Sequence, residues 1–170
     1  MPGHDRRVET DVTIRAADPG DVEQLVEIAR ARRDQYGRYQ PRFWRPAADA
    51  VHRQREFFAG LLQSNSTGAL VAVREARVIG FAIMHYVDAP PVYDPGGKTC
   101  MVDDLTVALD ADWPGVGSLL LAAVRRMARQ RGAVQVVVVT AHLDAVKRAM
   151  LQRAGLSLAS EWWTGSTDES

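Results

Sequence analysis

Val102-Asp103-Asp104-Leu105-Thr106-Val107 is followed by Asp112-Trp113-Pro114-Gly115-Val116-Gly117-Ser118 and then by Leu119-Leu120-Leu121. The first six residues are rich in β-branched side chains and read as a strand. The glycines mark a turn, and the leucines open an amphipathic helix. Gly115 and Gly117 have no Cβ, so backbone at those points can approach a ligand closely. The amides that open a helix lack internal partners, and the helix dipole adds partial positive charge there. Strand, glycine turn and helix in this order therefore predict a cradle for a phosphate or pyrophosphate. A Gly-x-Gly pair alone is weak evidence, and the flanking elements give it meaning. Asp103 and Asp104 stand a few residues upstream, within reach of whatever the cradle holds.

Outward from this stretch, the chain alternates helical and strand patterns. Val12 to Ala16 reads as a strand. Asp18-Pro19-Gly20-Asp21 is a helix start, with Asp18 as cap, and Val22, Leu25, Val26 and Ala29 form one apolar face. A second helix is predicted over Ala47 to Leu62. Ala69 to Arg74 and Val78 to Val87 make a hairpin turning at Glu75-Ala76. Pro90, Pro91, Pro95, Gly96 and Gly97 mark a loop, and Thr99 to Leu109 is the next strand. Ser118 to Gln130 is a helix. Gln135 to Thr140 is nearly all valine, as in a strand buried on both faces. Asp144 to Ala154 is a helix stopped by Gly155, and Leu156 to Thr164 is expected to be a last strand. The fold class is α/β, a mixed sheet with helices on both faces, in the order β-α-α-β-β-β-α-β-α-β.

The whole composition narrows the function classes. The chain has 170 residues, enough for one domain with a sizeable core. Residues 11–164 are expected to form that domain, between a flexible arm (1–10) and a flexible tail (165–170). The 21 basic and 21 acidic residues cancel, which leaves no electrostatic footprint for nucleic acid as a partner. No stretch is apolar enough for a membrane partner. A single cysteine, Cys100, excludes an internal disulfide and suits a reducing compartment. The expected localisation is cytoplasmic. No metal site is expected.

The order of elements and three motifs resemble the GNAT superfamily of acetyl-coenzyme-A-dependent N-acetyltransferases. The family's turn, (Gln/Arg)-x-x-Gly-x-(Gly/Ala) before paired leucines, falls on Asp112 to Gly117 and Leu119-Leu120. Asp103-Asp104-Leu105-Thr106-Val107 is similar to the (Glu/Asp)-Asp-Leu-x-Val strand of small-amine acetyltransferases. The late helix ends in Gly155-Leu156, where the family has Gly-Phe.

The resemblance implies acetyl-CoA as cosubstrate and a strand that bulges near Val107, opening a V-shaped slot. The pantetheine arm would pair with free backbone groups of Leu105 and Val107, flanking Thr106. The pyrophosphate would take the amides of Val116, Gly117 and Ser118, with Gly115 and Leu119 beside them, and Thr140 would line the opposite wall. It also implies that Asp103, the acid residue four before the bulge valine, sits beside the acceptor amine.

That amine must lose a proton before it attacks a thioester, and a carboxylate supplies the base. Side chains alternate along a strand, so Asp103 and Asp104 are expected to face opposite ways. Asp103 is the favoured base, and Asp104 the second candidate. Two positions depart from the family. Asp112 replaces Arg or Gln beside the pyrophosphate, and reads best as a helix cap. Leu151 stands where a tyrosine often protonates the leaving thiolate, with His142 or Tyr93 as substitutes.

Between Arg30 and Arg45 six arginines and one aspartate give a charge of +5, interleaved with Tyr36, Tyr39, Phe43 and Trp44. Such a stretch would roof the acceptor site, while Asp88, Asp94, Asp103 and Asp104 would favour a cation. Together they suit an amino acid or other zwitterion slightly better than a polyamine. His85 reads as a satisfied sheet histidine. The expected function is direct acetyl transfer from acetyl-CoA to a primary amine of a small molecule. The alternatives are a protein lysine or N-terminal acetyltransferase, or a non-catalytic acetyl-CoA-binding module. An unpaired last strand carrying Trp162 and Trp163 predicts a possible homodimer.

Overall fold

The computed structural model describes residues 11–168, so the expected arm at 1–10 and the last two tail residues lie outside the described residues. Strands β1 (Thr13–Ala16), β2 (Thr67–Arg74), β3 (Arg77–Val87), β4 (Lys98–Val107) and β5 (Ala133–Val138) form one sheet in the order β1-β2-β3-β4-β5. The first three pairings are antiparallel, and β4 pairs with β5 in parallel. The helices are α1 (Val22–Tyr39), α2 (Ala50–Leu62), α3 (Ser118–Gln130) and α4 (Ala145–Arg153). This is the expected mixed α/β sheet with helices on both faces.

Local chemistry sets these bounds. Asp18 accepts from the Gly20 amide while its own amide donates to Asp21, a reciprocal cap that starts the first helical turn. Arg15 grips Asp21 with two bonds of 2.7 and 2.8 Å, and this grip holds the Asp21 carboxyl below its ordinary range. Glu75 and Ala76 both take positive φ, 50° and 62°, in the two-residue turn between β2 and β3.

Two apolar layers hold the sheet. Val71, Phe81 and Ile83 face α1 and α2, packing on Leu25, Val26 and Phe58. Leu70, Ala82, Met84, Val102, Leu105 and Val107 face the other way, onto Trp113, Leu120, Val124 and Met150. Cys100 is a free, buried thiol in that second layer. Among the described residues, no helix is long and apolar enough to cross a membrane.

Two expectations about the sheet edge need correction. Leu156 to Thr164 forms no strand and no ladder bonds, so the last expected strand is missing. Leu156 packs on the core, but Trp162 turns toward Phe43, with ring centroids 6.1 Å apart. A strand exists only through its ladder, and this segment uses its aromatic elsewhere. Consequently β5 is an edge strand rather than a strand buried on both faces. Val134 is exposed, and Val136 to Val138 are half-buried.

Candidate active site

The parallel ladder between β4 and β5 ends early. Its last rung is the Val139 amide donating to the Val102 carbonyl at 3.1 Å. Beyond it β4 runs on to Val107, paired only with β3. The Ala108 amide donates to Ile79 on the β3 side. Backbone direction alternates along a strand, so Leu105 and Val107 present their amides and carbonyls to the open side. The result is a slot closed at Val102–Val139 and open toward the 110–117 turn.

Two candidate carboxylates sit at the closed end, and their placement differs from simple alternation. Ile83 pairs with Asp104 and Met84 with Val102, so Asp103 is an extra, bulged residue. The bulge therefore lies at Asp103, not at Val107. Asp104 stands opposite Ile83, and Asp103 meets His85 at 2.7 Å. Ile83 and His85 are two apart and share a face, so both carboxylates point to the α1 side. One inserted residue resets the alternation of side chains along β4. Asp103 and His85 are about half exposed, whereas Asp104 is turned inward. Burial pushes the Asp104 carboxyl up, Lys147 pulls it back, and Asp103 pushes it further up.

A polar cluster that the sequence reading did not assemble lies against these groups. Arg32 of α1 donates to Thr106 Oγ1 at 3.1 Å, to the Val107 carbonyl at 3.4 Å and to Asp144 Oδ2 at 3.2 Å. It thus spans the slot from β4 to the start of α4. Tyr36, one turn on, donates its hydroxyl to Asp144 at 2.9 Å. Burial, then the Asp144 charge, push that phenol well above its ordinary range. Asp144 caps α4 by accepting from the Lys147 amide. Lys147 Nζ donates to the Val139 carbonyl at 2.9 Å. Burial lowers the Lys147 ammonium to about 8, against the opposing pull of Asp144 and Asp104. The signals were present: Leu25, Ile28, Ala29, Arg32 and Tyr36 follow one helical stripe. Lys147 lies three residues past the Asp144 cap, next to an apolar run.

The turn is a 3-10 segment (Asp110–Asp112) and a wide π-type turn (Trp113–Gly117) leading into α3. Trp113 is fully buried, between the Arg32 guanidinium at 5.3 Å and the Lys147 ammonium at 5.5 Å. Gly117 is a packing requirement, because a Cβ there would lie 2.6 Å from the Trp113 ring. Gly115 is different: a Cβ there meets only open space. The Ser118 amide donates to the Gly115 carbonyl and is not free for a phosphate, contrary to expectation. Asp112 makes no capping bond; it faces Arg74 at 3.5 Å, which offsets its charge.

The remaining expected positions are distributed as follows. Leu105, Thr106, Val107 and Val116 are buried, Ser118 and Leu119 are exposed, and Thr140 is half-buried on the far wall. Leu151 is buried in the core, while His142 and Tyr93 are both exposed and stand apart from the cluster. Arg38, Arg42 and Arg45 are exposed. A cleft of about 490 Å³ opens beside Met101, two residues before Asp103, with Asp88, Asp94, Tyr93 and Val137 in its walls. Among the described residues, no group of three His, Cys, Asp or Glu side chains could hold a metal ion.

The site fits an extended ligand with an anionic end. Beyond Val102 the β4 edge meets no strand among the described residues, with Arg32 at the Val107 carbonyl; the open space at Gly115 admits a bulky group, and the buried Trp113 indole N–H has no acceptor among those residues. The model of the acetyltransferase (GNAT) family matches residues 23–156. No curated protein matches the chain by sequence. A mutant of the BH1408 protein from Bacillus halodurans superposes with a TM-score of 0.80 at 17% identity, covering 91% of this chain and 98% of that one. A predicted acetyltransferase from Clostridium acetobutylicum, solved with acetyl-CoA, gives 0.71 at 20% identity, covering 92% and 96%. The aminoglycoside N-acetyltransferase AAC(6')-Iy, in complex with CoA, gives 0.67 at 18% identity, covering 92% and 95%.

Proposed function

Because the chain belongs to the acetyltransferase (GNAT) family and is an acetyltransferase that uses acetyl-CoA, we propose that its acceptor is a primary amine of a small molecule, attacked directly with no acyl-enzyme. The observation that carries this reading is the slot. Its free β4 edge ends at a pair of carboxylates on the face that the cleft opens onto. The pantetheine arm adds to β4 as an extra strand, bonding Leu105 and Val107 around Thr106, with Thr140 opposite. The pyrophosphate end meets Gly115, Val116, Gly117 and the exposed Leu119 edge of the turn. Ser118 contributes its exposed side chain rather than its amide. The thioester then lies near the closed end, within reach of Asp103 and Asp104.

Chemistry at that point needs a neutral amine. A lysine-like amine has a pKa of about 10.4, so it arrives charged. Asp103, paired with His85 and half exposed, takes the proton. Asp88 and Asp94 favour a cationic acceptor, and none of Arg38, Arg42 or Arg45 lines the cleft. An amine-bearing small molecule without an obligatory carboxylate therefore fits better than a zwitterion. We place the protein in the cytoplasm, as its buried free thiol allows. Thiol release from acetyl-CoA, measured across a panel of amines, tests the reading. Turnover should require an amine, and acetyl-CoA consumption at the same rate without one would overturn it.

A further inference from the structure

Lys147 is buried to 3% exposure on the first turn of α4. An isolated ammonium is costly to bury. Its polar contact is a carbonyl, that of Val139, and Val139 is also the residue whose amide closes the slot on Val102. The ammonium therefore stands at the closed end of the slot. Charged groups act on it from each neighbouring element: Asp104 from β4, Asp144 from the α4 cap, itself bonded to Tyr36, and Arg32 from α1. The Trp113 ring lies under it, with the ammonium 5.5 Å from the ring centroid. Leu151, at the position where the family often has a proton-donating tyrosine, is buried among apolar side chains and has no proton to give.

We propose that the Lys147 ammonium is the proton donor to the departing thiolate of coenzyme A. This rests on the reading that the coenzyme's arm occupies the slot. In the step, the amine nitrogen bonds to the acetyl carbon, and the C–S bond breaks with its electron pair on sulfur. The acceptor's bound ammonium has already passed one proton through Asp103 to water, and the surplus N–H proton left after attack follows the same route. One Nζ proton passes to sulfur, giving the free thiol and a neutral lysine. Lys147 regains a proton from water as the product leaves. Burial brings the ammonium to about 8, close to the value of about 8.5 for a free thiol, so the proton is shared on nearly even terms.

The test begins with binding, since it needs no acceptor. Coenzyme A is bound to the wild-type protein, and its thiol is titrated by the ultraviolet absorbance of the thiolate. A neighbouring ammonium should make the bound thiol more acidic than free coenzyme A. Lys147→Met should return it to the free value or above. Lys147→Gln, which keeps a donor to Val139, should behave like Lys147→Met and serves if the methionine variant fails to fold. With an accepted amine, kcat should fall by about 10²-fold in both variants, the low end for acid–base catalysis because a thiolate leaves readily. The wild-type alkaline limb above about 8 should also disappear. Bound coenzyme A with an unshifted thiol in the wild-type protein overturns the assignment of Lys147 alone. Failure of coenzyme A to bind at all overturns the slot reading and this proposal together.

Discussion

At the scale of single residues, the two adjacent aspartates separate by what each touches. Asp103 meets the half-exposed His85, whereas Asp104 is turned toward Lys147. Asp103→Asn should lower kcat/KM by about 10²–10⁴-fold across the pH range, the loss typical of a removed base. Asp104→Asn should instead shift the alkaline limb of kcat to lower pH, since Asp104 is one of the charges holding the Lys147 ammonium up. Steady-state profiles of both variants check this, and equal profiles would erase the distinction. Lys147 also links stability to pH. Its unfolded value is about 10.4 and its folded value about 8, so between them the unfolded chain binds more protons. Stability should therefore rise with pH across that window, relative to Lys147→Met. Urea midpoints of the two proteins at several pH values measure the difference. The glycine turn divides similarly. Gly117→Ala should destabilise by about 1–3 kcal/mol through overpacking against Trp113. Gly115→Glu should leave the melting temperature in place and remove the shift that acetyl-CoA produces.

At the scale of elements, the β4 bulge is a single extra residue in an otherwise continuous ladder. Deleting one residue from a strand interior normally throws every later side chain onto the wrong face. Deleting Asp103 should leave Asp104 to Val107 in register with β3, so circular dichroism should show a folded protein with a cooperative melt. Deleting Leu105 should not. The hairpin at Glu75-Ala76 holds two non-glycine residues in the left-handed region, at a cost of roughly 1–2 kcal/mol each. Replacing the pair with Asn-Gly should raise the melting temperature. These elements also show what was legible in the sequence. Helix α3 has the bounds that its leucine stripe predicts, and Glu75-Ala76 turns where the hairpin pattern requires. The strand, the glycine turn and the pair of aspartates lay in one readable stretch. The bulge did not, because alternation in sequence carries no mark of where a ladder skips a residue. Arg32, Tyr36 and Lys147 stayed hidden for a related reason. Each is polar at a helix position whose neighbours are apolar, and only the three-dimensional meeting of α1, β4 and α4 gives such a residue a role.

At the scale of the whole molecule, the sheet has one helix-covered layer on each side and an unfinished edge at β5. Leu158, Trp162 and Trp163 are exposed on the segment that follows α4. We propose that this segment and the β5 edge meet a second copy of the chain, as exposed aromatics and unpaired backbone favour. Light scattering over a concentration series should give a dimer, and truncation after Ser157 should give a monomer that still binds acetyl-CoA. A monomer mass for the full chain at high concentration would refute it. The four tryptophans are placed unequally across this architecture. Trp162 and Trp163 stand in solvent at 84% and 90% exposure, Trp44 is half-buried, and Trp113 is sealed between two cations. The protein therefore carries its own pair of fluorescent gauges. Iodide quenches the outer pair unless a second copy covers them, and the emission that survives iodide comes largely from the indole beside the slot, where a ligand's arrival changes its colour and brightness.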